Sequence, residues 1–312
     1  MTRRSAWLAF FLVAATSVWA GPPNLAFKPA GEGLYDFDTG TFRGRLKVDG
    51  KYQGIYPMVD CDSKMELVHP PGIFSFYRVF ERSKRWGATA RDWPTQAKLL
   101  PDGAVEVRWP AAADHPLEIV GVYRWKTPDT IDLEIAVKPQ HDMPRFELFM
   151  SSYFTKTFRA SVYLKPEGEK EATPRFVPVD RKPQSTGAYV MFPRDDEAVQ
   201  MIRDGRWKLG SNPVDWAIER WLASPMVLRR DSSHGLAALM MCPPGDCFAI
   251  SSPWNPATPE AGGYRSVYLS LFGRDLRAGQ TSQARCRLVI AHQLTDPQAV
   301  ERYAEYVRET KR

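Results

Sequence analysis

Apolar residues recur at every second position along most of the chain, and this pattern constrains the fold more than any other feature of the sequence. The segments 104–109 and 131–137 alternate between apolar and polar residues, as strands with one buried and one solvent-facing side do. Similar runs, each bounded by Pro, Gly, Asp or Asn, occupy Ile73–Phe80, Leu117–Trp125, Phe146–Phe154, Met226–Arg230, Leu236–Met241, Tyr264–Phe272 and Ala284–Ile290. About fifteen such strands, without intervening amphipathic helices, predict an all-β protein of stacked antiparallel sheets.

Two helical segments interrupt the strand pattern. Asp296 and Pro297 supply an N-cap and a first-turn proline, and apolar residues then recur at helical spacing through Val307. We therefore expect a short C-terminal helix over about 296–309, and a second short helix over Asp195–Arg203 that begins with acidic residues. No repeat, low-complexity tract or linker divides the chain, so residues 21–312 are predicted to form a single domain.

The first twenty residues have the layout of an export signal. Arg3 and Arg4 precede an apolar run from Trp7 to Val18, and the segment ends at Ala20 with the small residue that a signal peptidase reads. We expect residues 1–20 to be a cleaved signal peptide and the mature protein to be secreted or periplasmic. The apolar run is too short to span a bilayer, and no transmembrane segment is expected after cleavage. Without Arg3 and Arg4 the formal charge falls from +6 to +4, which gives no reason to expect a nucleic-acid partner.

The cysteine count takes its meaning from the predicted export. An even number of cysteines in an exported chain predicts disulfides, and the four are Cys61, Cys242, Cys247 and Cys286. The Pro- and Gly-containing loop between Cys242 and Cys247 favours a bridge there, which would leave Cys61 to pair with Cys286, although four cysteines allow three connectivities. The five histidines show no metal-ligand spacing, so we expect no metal site and no cofactor.

Two parts of the sequence resemble the galactose-mutarotase-like family. Thr130–Pro139 followed by Phe146–Phe154 resembles the central hairpin of that family, whose second strand carries an Asn-His-Ser/Thr-Tyr-Phe motif. Leu-Arg-Ala-Gly-Gln at 276–280, followed by an alternating strand to Ile290, resembles the family's Leu-x-Pro-Gly-Glu turn and last long strand. The resemblance implies a large antiparallel β-supersandwich that presents a concave face to sugars.

The sequence departs from this family at the catalytic positions. Ser151 stands where the family has its catalytic His, and Met150 replaces the Asn. The run Cys247–Ser252, where the catalytic Glu is expected, contains no acidic residue. Interconversion of sugar anomers requires a base and an acid. The resemblance therefore implies a carbohydrate-related function without ordinary mutarotase activity.

Residues 69–93 form the densest set of candidate binding residues. Five basic residues against two acidic ones give this segment a local charge of +3, and two tryptophans lie among them. Aromatic rings offer apolar faces to a pyranose, and arginine forms paired hydrogen bonds with a carboxylate or sulfate. The predicted ligand-binding residues are Arg78, Arg82, Arg85, Trp86 and Trp93, with His141 and Trp254 from other loop-like segments. The alternative interpretation is a strand and a solvated basic loop whose tryptophans anchor it to the core.

Three functions remain open at this point. The leading hypothesis is a secreted protein that binds or processes carbohydrate, with acidic polysaccharide as the candidate ligand. A non-catalytic structural or interaction module of the cell envelope is the first alternative. The second is a polysaccharide lyase for acidic glycans, in which Arg78 would neutralise a uronate and Tyr77 or His69 would remove a proton. Tyr77 and Arg78 are adjacent, so a regular strand would point them to opposite faces unless a bulge intervenes.

Overall fold

The architecture comes from a computed structural model that describes residues 24–168, 171–179, 189–218, 220–252 and 265–311. Most elements in these ranges are strands, as the period of two predicts. The strands are β1 (Lys28–Pro29), β2 (Leu34–Asp38), β3 (Phe42–Lys47), β4 (Gly54–Asp60), β5 (Ser75–Glu81), β6 (Lys84–Trp86), β7 (Gln96–Leu99), β8 (Val105–Trp109), β9 (Leu117–Thr127), β10 (Thr130–Pro139), β11 (Met143–Phe154), β12 (Arg159–Leu164), β13 (Arg175–Pro178), β14 (Val190–Pro193), β15 (Ala217–Ile218), β16 (Leu222–Asp231), β17 (Leu236–Met241), β18 (Cys247–Ser251), β19 (Arg265–Leu276) and β20 (Ser282–His292). The α-helices are α1 (Asp196–Ile202) and α2 (Asp296–Thr310).

The strands form three sheets. The first has four strands in the order β1-β2-β3-β4. The second has nine strands in the order β13-β12-β16-β17-β20-β10-β9-β8-β7, and the third has seven in the order β15-β14-β18-β19-β11-β5-β6. All pairings within these sheets are antiparallel except that of β14 with β15. The predicted class, an all-β fold of large antiparallel sheets with a short C-terminal helix, is confirmed.

The main hydrophobic core lies between the seven-stranded and nine-stranded sheets. Alternate residues of β11, such as Leu148 and Met150, and alternate residues of β10, such as Leu133 and Ile135, belong to this one core. Full burial of each such side chain stabilises the fold by about 1.5–3 kcal/mol. The intervening residues of β11 point away from this core, to the outer face of the seven-stranded sheet.

The predicted hairpin of β10 and β11 does not exist. β10 pairs with β9 and β20, whereas β11 pairs with β5 and β19 in the other sheet. The short turn between them, Gln140–Asp142, therefore carries the chain from one sheet to the other. Each strand is still as long and as regularly patterned as expected. Alternating apolar residues determine which side of a strand is buried, but they do not determine which strands it pairs with.

Both predicted helices are present. The side chain of Asp195 caps α1 by accepting a hydrogen bond from the Ala198 amide at 2.9 Å. Helix α2 begins one residue differently from the expectation, because Thr295 is the N-cap and forms a capping box with Gln298. Helix α2 buries Tyr303 and other residues on the outer face of the nine-stranded sheet.

The predicted disulfides are not found in the structure, in which all four cysteines are free thiols. Cys242, Cys247 and Cys286 are buried in the main core, where free cysteine behaves as a small apolar side chain. Burial raises the pKa of the Cys242 and Cys286 thiols, which keeps them protonated. Cys61 lies apart from them, half-buried at the end of β4.

The proposed signal peptide, residues 1–20, lies outside the described residues. Within the described ranges, neither α-helix has both the length and the hydrophobicity that crossing a bilayer requires.

Candidate functional site

An arginine and four tyrosines converge on the outer face of the seven-stranded sheet. We call this set, Tyr52, Tyr77, Arg91, Tyr153 and Tyr268, the arginine–tyrosine cluster. The guanidinium carbon of Arg91 lies 4.7 Å from the ring centroid of Tyr77, 5.2 Å from that of Tyr52 and 5.9 Å from that of Tyr153. The hydroxyls of Tyr153 and Tyr268 are 3.2 Å apart, and Arg91 Nη1 lies 3.5 Å from the Tyr153 hydroxyl. A cation within about 6 Å of a ring centroid is attracted to the face of the ring, so Arg91 and the three tyrosine rings around it stabilise one another's positions.

Strand alternation brings the outer-face residues of β11 into this cluster. Phe149 and Tyr153 belong to the outer cluster, whereas Met150 and Phe154 belong to the main core. The Phe149 ring stacks on Tyr268 of the neighbouring strand β19 at 4.7 Å between centroids. The site is therefore built on strands that are paired on both sides, which fixes the positions of its rings.

A β-bulge in β5 brings Tyr77 and Arg78 to the same face. Phe149 is opposite Arg78 and Met150 is opposite Phe76, so Tyr77 is an extra residue without a partner on β11. Arg78 Nη2 lies 3.3 Å from the Tyr77 hydroxyl, and the Tyr77 ring is stacked 6.2 Å from the ring of Tyr268. Adjacent side chains point to opposite faces only in a regular strand. The bulge at Tyr77 interrupts that alternation, so the expectation does not hold here.

Tyr52 forms the exposed part of the cluster. Its side chain is 51% exposed. Leu99, at 40%, is the other exposed large apolar residue in the described ranges. Its backbone has φ +62°, in the left-handed region, and its amide donates a hydrogen bond to Asp92 at 2.9 Å. A non-glycine residue in this conformation costs free energy that the surrounding structure must offset. Tyr52 lies outside the basic segment 69–93 and is not among the binding residues predicted from the sequence.

Arg78 is a deeply buried charge beside the arginine–tyrosine cluster. It is 2% exposed, and its guanidinium carbon lies between the Tyr77 ring at 4.9 Å and the Trp207 ring at 5.4 Å. Its Nη2 donates to the Asn212 carbonyl at 2.8 Å, whereas Nε and Nη1 have no hydrogen-bond partner in the structure.

Residues 204–218 cover the other end of the outer face. Trp207 packs on Phe149 at 4.6 Å and on Phe80 at 4.9 Å, and Trp216 packs on Trp207 at 5.1 Å. We call residues 204–218 the covering segment. Part of the outer face is thus filled by protein, and the cluster around Arg91 and Tyr52 adjoins the filled part.

A buried ion pair anchors the covering segment to the sheet. Arg206 Nη1 lies 3.1 Å from the Glu147 carboxylate, and both side chains are almost completely buried. Arg206 also binds Asp204, with Nη2 2.8 Å from its carboxylate. Burial raises the pKa of Glu147, and the charge of Arg206 opposes this rise.

Several predicted binding residues lie elsewhere or are covered. Trp86 and Trp93 are each 5% exposed, so they anchor the segment to the core, as the alternative interpretation states, and are not available as stacking platforms. Trp93 stacks on His115 at 3.8 Å, and Trp86 lies 5.5 Å from His141, which is also 3.4 Å from Glu81.

The other predicted residues differ in their distance from the cluster. Arg82 is exposed at the end of β5, and Arg85 is half-buried against the covering segment, where Nη1 donates to the Ser211 carbonyl at 2.7 Å. His69 is half-buried beside the cluster, with its amide bonded to the Tyr153 carbonyl at 3.0 Å. Trp254 lies outside the described residues.

Ser151, which the sequence motif predicts at the position of the family's catalytic His, is inaccessible to a ligand. Ser151 shares the outer face with Phe149 and Tyr153, is fully buried and donates its hydroxyl to the Ser75 carbonyl at 2.9 Å. Within the described ranges no three His, Cys, Asp or Glu side chains are grouped so that they could hold a metal ion.

A second groove lies between α2 and strands β10 and β20, with a cavity volume of about 190 Å³. Several of its charged residues are already in ion pairs. Arg287 binds Asp132 at 2.6 Å and Glu309 at 2.8 Å, and Arg285 binds Asp246 at 3.1 Å. Paired charges leave few hydrogen-bonding groups for a ligand, so this groove is the weaker candidate.

Known protein structures resemble this chain although their sequences differ from it greatly. No protein-family model and no curated protein sequence matches the chain. A proposed aldose 1-epimerase from Escherichia coli K12 matches over 83% of this chain and 99% of its own, with 12% identity and a TM-score of 0.50. A protein from Synechocystis sp. PCC 6803 matches over 89% of this chain and 100% of its own, with 10% identity and a TM-score of 0.52.

The chain has a galactose-mutarotase-like fold. The resemblance inferred from the sequence motifs is therefore confirmed at the level of the fold, a set of large antiparallel sheets, although the hairpin that it implied is absent. A TPR-domain-containing protein from Parabacteroides distasonis shares it over 83% of this chain and 47% of its own, with 8% identity and a TM-score of 0.51. At these identities the likeness describes architecture, and function must be argued from the site.

Proposed function

We propose that this protein binds or processes a carbohydrate, and that the ligand contacts the arginine–tyrosine cluster on the outer face of the seven-stranded sheet. The observation that carries the proposal is the position of Arg91 within 6 Å of three tyrosine rings, one of which is half exposed. The fold shared with a proposed aldose 1-epimerase supports a sugar ligand by analogy.

The chemistry of the cluster suits a saccharide. The Tyr52 ring offers an apolar face to the C–H side of a pyranose, and the hydroxyls of Tyr52 and half-buried Tyr77 can exchange hydrogen bonds with sugar hydroxyls, whereas Tyr153 and Tyr268 are buried and support the site from below. Arg91 binds only neutral groups in the described structure, so its guanidinium is free of a competing carboxylate. A positively charged, ring-lined surface favours an acidic saccharide over a neutral one.

The proposal does not include ordinary mutarotase activity. The serine at the family's histidine position is buried and bonded to a backbone carbonyl, and a serine hydroxyl without an activating base does not take the proton of a sugar hydroxyl. Export to a secreted or periplasmic location also forms part of the proposal. It rests on residues 1–20, and N-terminal sequencing of the mature protein should give Gly21 as the first residue.

A binding panel tests the proposal. The protein is titrated with neutral and uronic polysaccharides by affinity electrophoresis and calorimetry. At least one polysaccharide should bind, and Tyr52→Ala should weaken it about threefold to tenfold, since a ring contact contributes roughly 0.5–1.5 kcal/mol. The control is Leu99→Ala, which removes an exposed apolar side chain from β7 of the other sheet. Absence of binding and cleavage across the whole panel would overturn the proposal.

The bulge in β5 favours a second candidate, a polysaccharide lyase. It places the Tyr77 hydroxyl and the Arg78 guanidinium on one face, 3.3 Å apart. In an elimination the ionised Tyr77 oxygen would take the C5 proton, the C4–O bond would break as a C4–C5 double bond forms, and the same tyrosine would then give that proton to the departing oxygen. Tyr77→Phe would then abolish the unsaturated product, followed by its ultraviolet absorbance, and leave binding intact. Cleavage that persists in Tyr77→Phe would exclude this role.

The rival hypothesis, a non-catalytic module of the cell envelope, draws support from the covering segment. Trp207 and Trp216 fill part of the outer face with protein. The same panel separates the two hypotheses, because an interaction module has no reason to discriminate among saccharides through Tyr52.

A further inference from the structure

We infer that Arg78 and Arg85 form an anion-binding subsite, beside the arginine–tyrosine cluster, that takes a carboxylate or sulfate group. Both arginines extend from neighbouring strands, β5 and β6, toward the covering segment. The inference concerns these two side chains only, and the cluster around Arg91 is a separate part of the surface.

The first support is the unsatisfied hydrogen-bonding capacity of Arg78. Nε and Nη1 of this 2%-exposed side chain have no partner. Burial of a charge is unfavourable unless the charge is paired and hydrogen-bonded. The rings of Tyr77 and Trp207 lie near the guanidinium, within the range of a cation–π contact. A carboxylate or sulfate forms two parallel hydrogen bonds with Nη2 and either Nε or Nη1, so an anion would take one unpartnered donor and replace the Asn212 carbonyl at Nη2.

The second support is the pairing of two like charges without a counterion. Within the described ranges, every hydrogen bond that Arg78 and Arg85 donate goes to a neutral oxygen, either a backbone carbonyl or the Tyr77 hydroxyl. Arg85 Nε is likewise buried without a partner. Burial lowers the pKa of Arg85, and the charge of Arg78 lowers it further because the two guanidinium groups repel each other.

Neighbouring acids do not supply the missing negative charge. Glu147 and Asp204, on the same face, are bound to Arg206. Arg78 and Arg85 therefore form a local excess of two positive charges in a largely dehydrated place, where an anion would be held strongly. Half-buried Arg85 gives the approach from solvent, and the carbonyls of Ser211 and Asn212 are the groups that the anion would displace.

This inference rests on the proposed function for the source of the anion, which would be the acidic group of the bound saccharide. A free inorganic anion has the same chemistry, so the experiment has one arm for each source. In the first arm, a uronic acid polymer is compared with its carboxyl-reduced, neutral counterpart. In the second, sulfate is compared with chloride at matched ionic strength by thermal unfolding.

The variants are Arg78→Lys, which keeps the charge but loses the paired donors, and Arg85→Gln at the more exposed partner. Arg277→Gln is the matched control, because it also removes one arginine, but an exposed one whose charge is already paired with Asp142. Circular dichroism and tryptophan fluorescence establish that each variant is folded. Should Arg78→Lys fail to fold, Arg85→Gln carries the test alone.

We expect wild type to bind the acidic polymer about tenfold or more tightly than the reduced one, since hydrogen bonds to charged groups contribute roughly 1.5–3 kcal/mol. Both variants should lose this preference and the control should keep it. Stabilisation by sulfate in wild type but not in Arg78→Lys, without discrimination between polymers, would support the subsite with a free anion as its ligand. Equal binding of both polymers with no sulfate effect would overturn the subsite and leave the proposed function standing.

Two further outcomes separate the proposals. If neither polymer binds but sulfate stabilises wild type through Arg78, the proposed function fails and the subsite holds. If the acidic preference survives in both variants, the anion is bound elsewhere and the subsite is refuted.

Discussion

Breaking the ion pair between Arg206 and Glu147 should destabilise the protein strongly, because the partner that remains is buried. In Arg206→Met the Glu147 carboxylate loses the cation 3.1 Å away and stays at 1% exposure. Removal of one partner of a buried pair typically costs about 3–5 kcal/mol of unfolding free energy. Glu147→Gln should cost less, about 1.5–3 kcal/mol, because Arg206 keeps its contacts with Asp204.

The double variant Arg206→Met/Glu147→Gln should be more stable than the sum of the single losses predicts, by at least ~1 kcal/mol, because it has no unpaired Glu147 carboxylate. Asp204 loses Arg206 in both Arg206→Met and the double variant, so that loss cancels in the comparison. The pH dependence of the free energy of unfolding gives an independent test of the same pair. Burial raises the pKa of Glu147 in the folded protein, so in Arg206→Met the protonated form is favoured by folding. The loss of stability in this variant should therefore be smaller at pH 5 than at pH 8.

Urea unfolding followed by tryptophan fluorescence measures these free energies, since Trp207 and Trp216 lie beside the pair. Additive losses, within about 0.5 kcal/mol, would show that the two residues do not interact. A loss in Arg206→Met that is equal at both pH values would show that Glu147 is not desolvated. Either result would refute the description of the pair as a buried anchor.

Three further predictions follow from single contacts. Thr295→Ala removes the N-cap of α2 and should lower the free energy of unfolding by about 1 kcal/mol, measured by urea titration, with no loss if another group caps the helix. Burial opposes ionisation of Asp60, but hydrogen bonds from the Ser63 hydroxyl and amide hold its pKa below the ordinary value. Asp60→Asn should therefore lower the free energy of unfolding at pH 6, and this difference from wild type should disappear as the pH falls below about 4. Alkylation of the unfolded chain without reductant should label four thiols, and a lower number would reveal a disulfide.

The sequence was informative wherever a local pattern decides the outcome. Alternation located β8, β10 and β17 within a few residues, and helical spacing located α2, because the buried side of an element is encoded in its own residues. Pairing is not encoded in this way. β10 and β11 follow each other directly but lie in different sheets, and β10 pairs with β20 from near the end of the chain.

The site shows the same division between local and long-range information. The basic composition of residues 69–93 directed attention to Tyr77 and Arg78, and both lie on the outer face. The bulge that places them together depends on the register of β5 against β11, which the sequence of β5 alone does not contain. The burial of Trp86 and the approach of Trp207 to Arg78 likewise depend on contacts between distant segments.

The most direct test of the central claim is to locate a bound saccharide on the protein surface. Hydroxyl-radical footprinting is carried out on the full chain with and without the polysaccharide that binds best in the panel. We expect protection of Tyr52 and Tyr77 in the arginine–tyrosine cluster, and unchanged oxidation of Leu99, which is 40% exposed on the other sheet. Protection in the groove beside α2, at the exposed Lys126, with Tyr52 unchanged would contradict the assignment of the site.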